Sequence, residues 1–287
     1  MKLLILLLGV LVAFAGNSVL NRLALVGDDA TGALEFAVIR VLAGALTLAL
    51  LVRVRDRHID RPRRAPTGAE LTAAGALALY LLGFSLAYLS LPAGLGALIL
   101  FGGVQVTMFV GAVLGGERVP AARWLGAGLA FLGLTYLLWP SGSGAPDVFG
   151  ALLMLSAALG WGAYSLLGRG SQDPLGDTAR NFMIATVPVG AAMLVAGALG
   201  QGAEVPLRGW LLGIASGALT SGLGYALWFR VLPQLLPSVA AVAQLTVPLI
   251  AMAGGMVFLA EPLTLRFAVA SAIVLGGVAL AVLAPRR

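Results

Sequence analysis

The sequence has no cysteine, one histidine (His58) and one lysine (Lys2) among 287 residues. The absence of cysteine excludes a disulfide framework and a thiolate metal site. Charged residues make up only 10% of the chain, whereas about 25% is usual in soluble domains. A soluble domain of this length cannot cover its surface with so few charges. The composition therefore favours a protein embedded in a membrane.

Several functional motifs are also missing from the sequence. No H-E-x-x-H, G-x-S-x-G or G-x-x-x-x-G-K pattern occurs, so we expect neither a membrane enzyme nor direct use of ATP. We also expect no cofactor and no bound metal. The net charge of +6 comes from basic residues in short gaps between apolar runs rather than from a stripe. This distribution argues against nucleic acid as a partner.

Apolar runs of about 20 residues, the length that crosses a hydrocarbon core of about 30 Å, dominate the chain. Ten of them can be drawn, and they predict an all-α integral membrane protein with ten transmembrane helices. The predicted spans are 3–25, 32–52, 70–90, 94–115, 122–139, 148–169, 178–199, 208–230, 234–258 and 265–284.

The basic residues predict the orientation of these spans. With a cytoplasmic N-terminus, 14 of the 18 basic residues fall in inside segments and only Arg208 and Arg266 fall outside. Positive loops stay in the cytoplasm, so we expect both termini there. Seventeen of the 18 basic residues are arginine, which hints at a GC-rich bacterial genome. In a bacterium, we expect a protein of this kind in the inner membrane.

The chain repeats itself across its midpoint. The clearest matches, at spacings of 144, 145 and 147 residues, are Glu117 with Glu261, Tyr80 with Tyr225, and Phe14 with Trp161. They predict two related halves, residues 1–140 and 148–287, each with five spans. Because five is odd, the second half enters the membrane from the opposite side, and the repeat is predicted to be inverted.

Three charged residues lie in or near the predicted spans. Arg22 and Glu35 are within about a turn of the outer ends, where each can extend to the interface, and Arg22 has two acidic candidates nearby, Asp28 and Asp29. Arg40 lies about 12 Å deep, where charge is costly and is often functional. It is either part of an internal structural pair, with Asn17, Asn21 or Glu35, or a charge on the substrate pathway.

Aromatic and amide side chains share helix faces deep in several spans. They either line a wet cavity or pack between helices. We favour the cavity, in which aromatic rings stack on an apolar substrate body, amides hold its polar groups and Arg40 attracts a carboxylate. The candidate substrate-binding residues are Asn17, Arg40, Tyr80, Phe84, Phe101, Gln105, Trp161, Tyr164, Tyr225 and Gln244.

Glu117 and Glu261 precede spans five and ten, on opposite sides of the membrane. A glutamate there satisfies free N–H groups and the dipole of a helix N-terminus. Helix capping is the simpler interpretation, and proton coupling is the alternative.

Several motifs together resemble one transporter family. They are Phe14-Ala-Gly-Asn-Ser-Val-Leu-Asn-Arg, its counterpart Trp161-Gly-Ala-Tyr-Ser, Arg40 in span two, and the two segments around Glu117 and Glu261. The chain is similar over its whole length to the ten-helix EamA branch of the drug/metabolite transporter superfamily. The family often has tryptophan where this chain has Phe14.

The resemblance implies a central cavity lined by spans one, three, four, six, eight and nine. It also implies export of small metabolites such as amino acids, aromatic ones included, or cationic drugs. We therefore expect a secondary transporter whose partners are a small-molecule substrate and the lipid bilayer, as a monomer or a dimer. The alternatives are a transporter of lipid-like metabolites and a non-transporting receptor or packing subunit, for which a dry interior is expected.

Overall fold

The computed structural model describes residues 2–57, 65–116, 120–139, 147–168, 171–231, 234–235, 243–244 and 246–283. Every regular element in this part of the chain is helical. The elements are α1 (Lys2–Leu25), α2 (Ala33–Arg55), α3 (Gly68–Ala87), α4 (Ala93–Leu114), α5 (Ala121–Leu138), α6 (Val148–Leu167), α7 (Pro174–Ala198), α8 (Leu207–Ala215), a π-helical segment (Ser216–Leu223), α9 (Gly224–Val231), α10 (Val247–Leu259) and α11 (Leu265–Leu283).

The predicted all-α membrane fold is confirmed. In the described part of the chain, seven helices are long and apolar enough to cross a bilayer, with α8, the π-helical segment and most of α9 counted as one continuous span. Shorter apolar helices within α5, α10 and α11 bring the number to ten. The ten agree with the ten predicted spans, and the chain is a multi-pass membrane protein.

Of the ninth span, predicted at 234–258, the structure describes chiefly the helix α10. The helix α10 begins at Val247, with Pro248 in its first turn, where the missing N–H of proline breaks no helical hydrogen bond. Most of the predicted part before Val247 lies outside the described residues.

The outer surface of the bundle is apolar. Leu46 and Val187 each expose 71% of their surface, and Leu194 exposes 69%. Charged pairs lie instead at helix ends, such as Arg55 on α2 with Asp173 at the start of α7, whose Nη1 and Oδ1 atoms are 2.7 Å apart. Apolar middles with charged ends are the arrangement that a lipid environment requires.

The helix contacts follow a symmetric pattern. The spans are numbered one to ten along the chain. Span three packs on span six, and span one packs on span eight in the corresponding way. Likewise, span two packs on span eight, and span seven packs on span three. Spans two and seven, four and nine, and five and ten form pairs. Exchanging each span with the one five places along preserves these contacts. This pattern is the one expected of two related halves, and the halves 1–140 and 148–287, like their inverted orientation, stay a prediction.

The π-helical segment lies directly against α2. A Cβ atom on Gly217 would be only 2.7 Å from Cβ of Ala43 and 3.0 Å from the backbone nitrogen of Gly44, and it would also overlap the carbonyl oxygen of Arg40. Only glycine permits so close an approach of two backbones. This contact fixes the depth at which Arg40 enters the bundle, because Arg40 lies beside it on α2.

Candidate functional site

A small cavity lies at the centre of the bundle, with about 20 Å³ of free space, enough for about one water molecule. Five spans contribute to its wall: α1, α3, α4, α6 and the eighth span. The free space is narrow, because aromatic rings converge on it. The lining residues are Phe14, Asn17, Tyr80, Phe84, Leu100, Phe101, Trp161, Thr220 and Tyr225.

Trp161 is the centre of the aromatic wall. Its ring stacks on that of Tyr225 with centroids 5.1 Å apart, and the ring of Tyr80 lies tilted at 5.0 Å on another side. Phe14 meets Tyr225 edge-on at 5.9 Å. Offset and edge-on pairs are the favourable arrangements of aromatic rings. A planar, apolar group would find ring faces and ring edges on several sides of this cavity.

Asn17 provides the polar edge of the cavity. Its Nδ2 donates to the hydroxyl of Tyr80 at 3.2 Å. Its Oδ1 accepts hydrogen bonds from Ser216 at 2.7 Å and from Thr220 at 3.1 Å, both in the π-helical segment. This network ties α1 to α3 and to the eighth span, and it holds the Tyr80 hydroxyl at the rim of the free space.

Arg40 is completely buried one layer behind this wall. Its Nη2 donates to the Tyr80 hydroxyl at 2.7 Å, and its Nε donates to Ser221 at 3.3 Å. The guanidinium carbon lies 4.7 Å from the centre of the Phe84 ring. Arg40 is thus joined to the cavity through Tyr80 and is not itself a lining residue.

The predicted partners of Arg40 are wrong. Asn17 contacts the same Tyr80 hydroxyl and not the guanidinium. Asn21 instead donates to Ser85, and Glu35 accepts the backbone N–H of Ala203 at 3.0 Å. The positions of Asn21 and Glu35 on their helices direct both side chains to other neighbours.

Six of the ten predicted site residues line the cavity, and four do not. Those that line it are Asn17, Tyr80, Phe84, Phe101, Trp161 and Tyr225. Of the others, Arg40 and Tyr164 lie behind the wall, Tyr164 with its ring 5.7 Å from Trp161. Gln105 and Gln244 are half-buried outside the lining. Substrate binding by these ten residues stays a prediction.

Three lining residues are absent from the predicted set: Phe14, Leu100 and Thr220. Phe14 has a signal in the sequence, because it is the repeat counterpart of Trp161. Thr220 belongs to the run of small polar residues in span eight, Ser216, Thr220 and Ser221, which is unusual within an apolar span. Leu100 carries no such signal.

An ion pair links three segments of the chain at one end of the bundle. Nε of Arg22 lies 3.7 Å from Oε1 of Glu261, and Nη1 of Arg22 donates to the carbonyls of Tyr88 at 2.7 Å and Leu89 at 2.9 Å. These contacts join α1, the α3–α4 loop and the α10–α11 loop. The expected pairing of Arg22 with Asp28 or Asp29 is wrong, because the side chain turns inward to these partners.

Glu261 caps a helix, but not the one that follows it. Both carboxylate oxygens accept the backbone N–H of Ala93, at 2.8 and 3.0 Å, at the first residue of α4. The carboxylate thus sits at the positive end of a helix dipole and beside Arg22. Burial is the larger influence and raises the pKa of Glu261 above the ordinary value of 4.5, although the Ala93 N–H and Arg22 both act to lower it. Glu117, its repeat counterpart, lies outside the described residues.

Residues 148–283 match the model of the EamA-like transporter family. Over 276 residues the chain is also 46% identical to an uncharacterized protein of Pseudomonas aeruginosa, covering 96% of this chain and 92% of the relative. Residues 148–283 thus form a domain of the EamA-like transporter family. An uncharacterized transporter of Archaeoglobus fulgidus is 26% identical over 165 residues, which cover 56% of this chain and 58% of that protein.

The EamA-like fold also matches a solved structure. One crystal structure superposes with a TM-score of 0.64 at 20% identity and covers 96% of this chain and 98% of the other. At this identity the likeness concerns the fold alone. The likeness extends over nearly the whole length of both chains. The first half of this protein therefore shares the fold of the solved structure, as the second half does.

Proposed function

We propose that this protein is a secondary transporter that moves small metabolites with an aromatic or apolar body across the bacterial inner membrane. The observation that carries the proposal is the cavity at the centre of the bundle, where ring faces and a polar edge converge from five spans. Concave sites with an apolar wall and a few fixed polar groups are typical of small-molecule binding. A packing subunit needs no such site.

The wall of the cavity draws on both predicted halves. Spans one, three and four come from residues 1–140, and spans six and eight come from residues 148–287. If the halves are inverted repeats, rocking one against the other exposes the cavity first to one side and then to the other. The narrow free space described above fits a constricted step of such a cycle.

The Arg22–Glu261 pair is suited to close one end of the pathway. It joins α1 to the α3–α4 and α10–α11 loops, and spans one, three and four all line the cavity. By the distribution of basic residues this end is the outer one, with both termini in the cytoplasm. Opening toward the outside then requires this pair to separate.

We further propose that the direction is export and that amino acids, aromatic ones in particular, are among the substrates. The aromatic wall around Trp161 supports an aromatic preference, and family membership supports a transporter. A monomer contains the whole cavity, so the proposed cycle needs no second copy.

Uptake into proteoliposomes tests the proposal. Radiolabelled phenylalanine and 3-phenylpropionate are compared with alanine and propionate, which have the same polar groups without the ring. We expect the aromatic member of each pair to enter faster than its aliphatic partner and faster than in protein-free liposomes. Equal rates with and without protein would contradict transport, and equal rates for aromatic and aliphatic compounds would contradict the role of the aromatic wall.

A further inference from the structure

The charge of Arg40 has no acidic counterpart in the described part of the protein. Every described acidic residue lies in a loop, at a cap or in the first turn of a helix. None of the described ion pairs involves Arg40. Its partners are instead two hydroxyl groups and two ring faces. A buried cation balanced only by neutral groups is costly in a membrane protein and marks a functional site by default.

One end of this guanidinium is also short of hydrogen-bond partners. The Nη1 atom of Arg40 is buried and makes no hydrogen bond within the described residues. Guanidinium nitrogens are donors only, so an acceptor must come from elsewhere to satisfy this one. An anion bound nearby compensates the charge, whereas the unpaired donor is satisfied only by an acceptor in direct contact with Nη1.

Tyr80 connects this charge to the cavity. Its hydroxyl oxygen accepts hydrogen bonds from Arg40 and from Asn17. A hydroxyl has two lone pairs and one proton, so with both lone pairs engaged the proton is the group left to donate. A hydroxyl polarised by a guanidinium is a stronger donor than a free one. Since Tyr80 lines the cavity, this donor lies in the cavity wall, where the hydroxyl of Tyr225 is within hydrogen-bonding range and a substrate oxygen would compete with it.

The wall offers a cation ring faces but no counter-charge. None of the nine described lining residues is acidic. An ammonium group in the cavity would therefore gain no counter-charge, and it would be repelled by Arg40 one layer behind Tyr80.

We propose that the cavity selects small aromatic carboxylates, and that it prefers those with a net negative charge to neutral molecules and cations of the same shape. The carboxylate lies at the edge formed by Tyr80 and Asn17, with Arg40 as its counter-ion. The ring of the ligand lies against Trp161 and Tyr225. Arg40 acts here as a positioning and charge-balancing residue, because Tyr80 separates it from the free space. The inference rests on the proposed transport function and specifies its substrate class.

Three ligands of matched shape test charge selection in the unmodified protein. They are 3-phenylpropionate, the neutral 3-phenylpropanamide and the cationic 3-phenylpropylamine, each titrated calorimetrically into the full chain in detergent. We expect the anion to bind at least tenfold more tightly than the amide, and the cation to bind most weakly. Equal affinities for the anion and the amide, or tighter binding of the cation, would overturn the proposal without affecting the aromatic cavity.

Arg40 variants assign the selectivity to this residue. In R40Q the advantage of the anion over the amide should disappear while the affinity for the amide stays the same. In R40K, which keeps a charge, part of the advantage should remain. The matched control is R208Q, since Arg208 is exposed in the first turn of α8, and it should leave all three affinities unchanged.

A purely structural role for Arg40 gives a different pattern, and that pattern would overturn the proposal. R40Q would then weaken binding of the anion and the amide by the same factor. If R40Q does not fold, the ligand series in the unmodified protein and in R40K decides the question. Absence of binding by all three ligands would overturn both this inference and the proposed aromatic cavity, whereas binding without charge preference overturns the inference alone.

Discussion

Arg40 donates a hydrogen bond of 2.7 Å to the hydroxyl oxygen of Tyr80, and its guanidinium carbon lies 5.2 Å from the centre of the same ring. This pair joins α2 to α3 and places a positive charge directly behind an aromatic wall. A charge at this depth is held in place by the elements around it, so its position depends on close packing of α2 against the eighth span.

Substituting Gly217 tests that packing. In G217A the added methyl group overlaps the backbone of α2 at Arg40 and Gly44, and overpacking of this kind costs about 1–3 kcal/mol. We expect a lower melting temperature in detergent and weaker binding of aromatic ligands. The matched control is G190A, because a Cβ on Gly190 has no atom within 4 Å. An unchanged melting temperature for G217A would show that α2 and the eighth span are not rigidly packed here.

Much of this fold is predictable from the sequence because lipid imposes a simple rule. Backbone groups in hydrocarbon must be satisfied within each span, so apolar runs of about 20 residues become helices. The ten spans follow from this rule alone. The π-helical turns of Ser216–Leu223 do not follow from it, because the rule requires helical backbone but does not distinguish an α-helix from a π-helix.

Glu261→Gln tests the closed end of the pathway. The amide can still accept the N–H of Ala93 but no longer attracts Arg22, and a partly buried pair of this kind is worth about 1 kcal/mol. Leu100→Cys places a single thiol in the cavity wall of this cysteine-free chain. We expect an impermeant thiol reagent added outside to label this thiol roughly fivefold faster in the Glu261→Gln background. A fivefold change corresponds to the loss of about 1 kcal/mol of stabilisation of the closed end.

The control for this experiment is Glu35→Gln. Glu35 is a carboxylate at the same predicted end that also accepts a backbone N–H, from Ala203, but it has no described ion pair with Arg22. Its substitution should leave the labelling rate of Leu100→Cys unchanged. Equal acceleration by both substitutions would assign the effect to general loosening, and no acceleration by Glu261→Gln would remove the pair from the closing mechanism.

The same pair predicts a dependence on external pH. Burial raises the pKa of Glu261 above 4.5, so its carboxylate begins to take up a proton at a higher pH than an ordinary glutamate does. The protonated group no longer attracts Arg22, and the contribution of the pair is lost as the pH falls. Labelling of Leu100→Cys, measured relative to the Glu261→Gln background, should therefore accelerate as the external pH is lowered, and the acceleration should begin at a higher pH than an ordinary glutamate would give. A ratio that stays constant as the pH is lowered would contradict the account.

Orientation can be tested by two further single cysteines. Asp28 and Pro66 are both exposed and lie in different loops, which the basic residues assign to the outside and the inside respectively. In intact cells an impermeant thiol reagent should label Asp28→Cys and spare Pro66→Cys, and permeabilised cells should show labelling of both. The opposite result in intact cells would reverse the predicted topology and place the Arg22–Glu261 pair at the inner end.

The candidate site is only partly predictable, for a physical reason that Arg40 and Gln105 illustrate. The depth of a residue in its span and its chemical type can be read from the sequence. On these two criteria the sequence selects Tyr80, Trp161 and Tyr225, which line the cavity. The rotation of each helix about its own axis is set by packing against several neighbours at once. That rotation places Arg40 behind Tyr80 and leaves Gln105 outside the lining, although both lie deep in their spans.

Transport by Trp161→Ala is the measurement that most directly tests the central claim. Trp161 contacts Tyr80 and Tyr225 across the cavity, and loss of an aromatic contact to substrate should weaken binding by about 1–2 kcal/mol. The matched control is Trp210→Ala, because Trp210 is 48% exposed on the outside of α8. With both variants monodisperse and reconstituted at equal density, we predict that 3-phenylpropionate uptake falls roughly five- to thirtyfold in Trp161→Ala at low substrate concentration and stays at the parent rate in Trp210→Ala. Uptake by Trp161→Ala at the parent rate would contradict the account, since the ring would then be packing and the cavity would not be the path of the substrate.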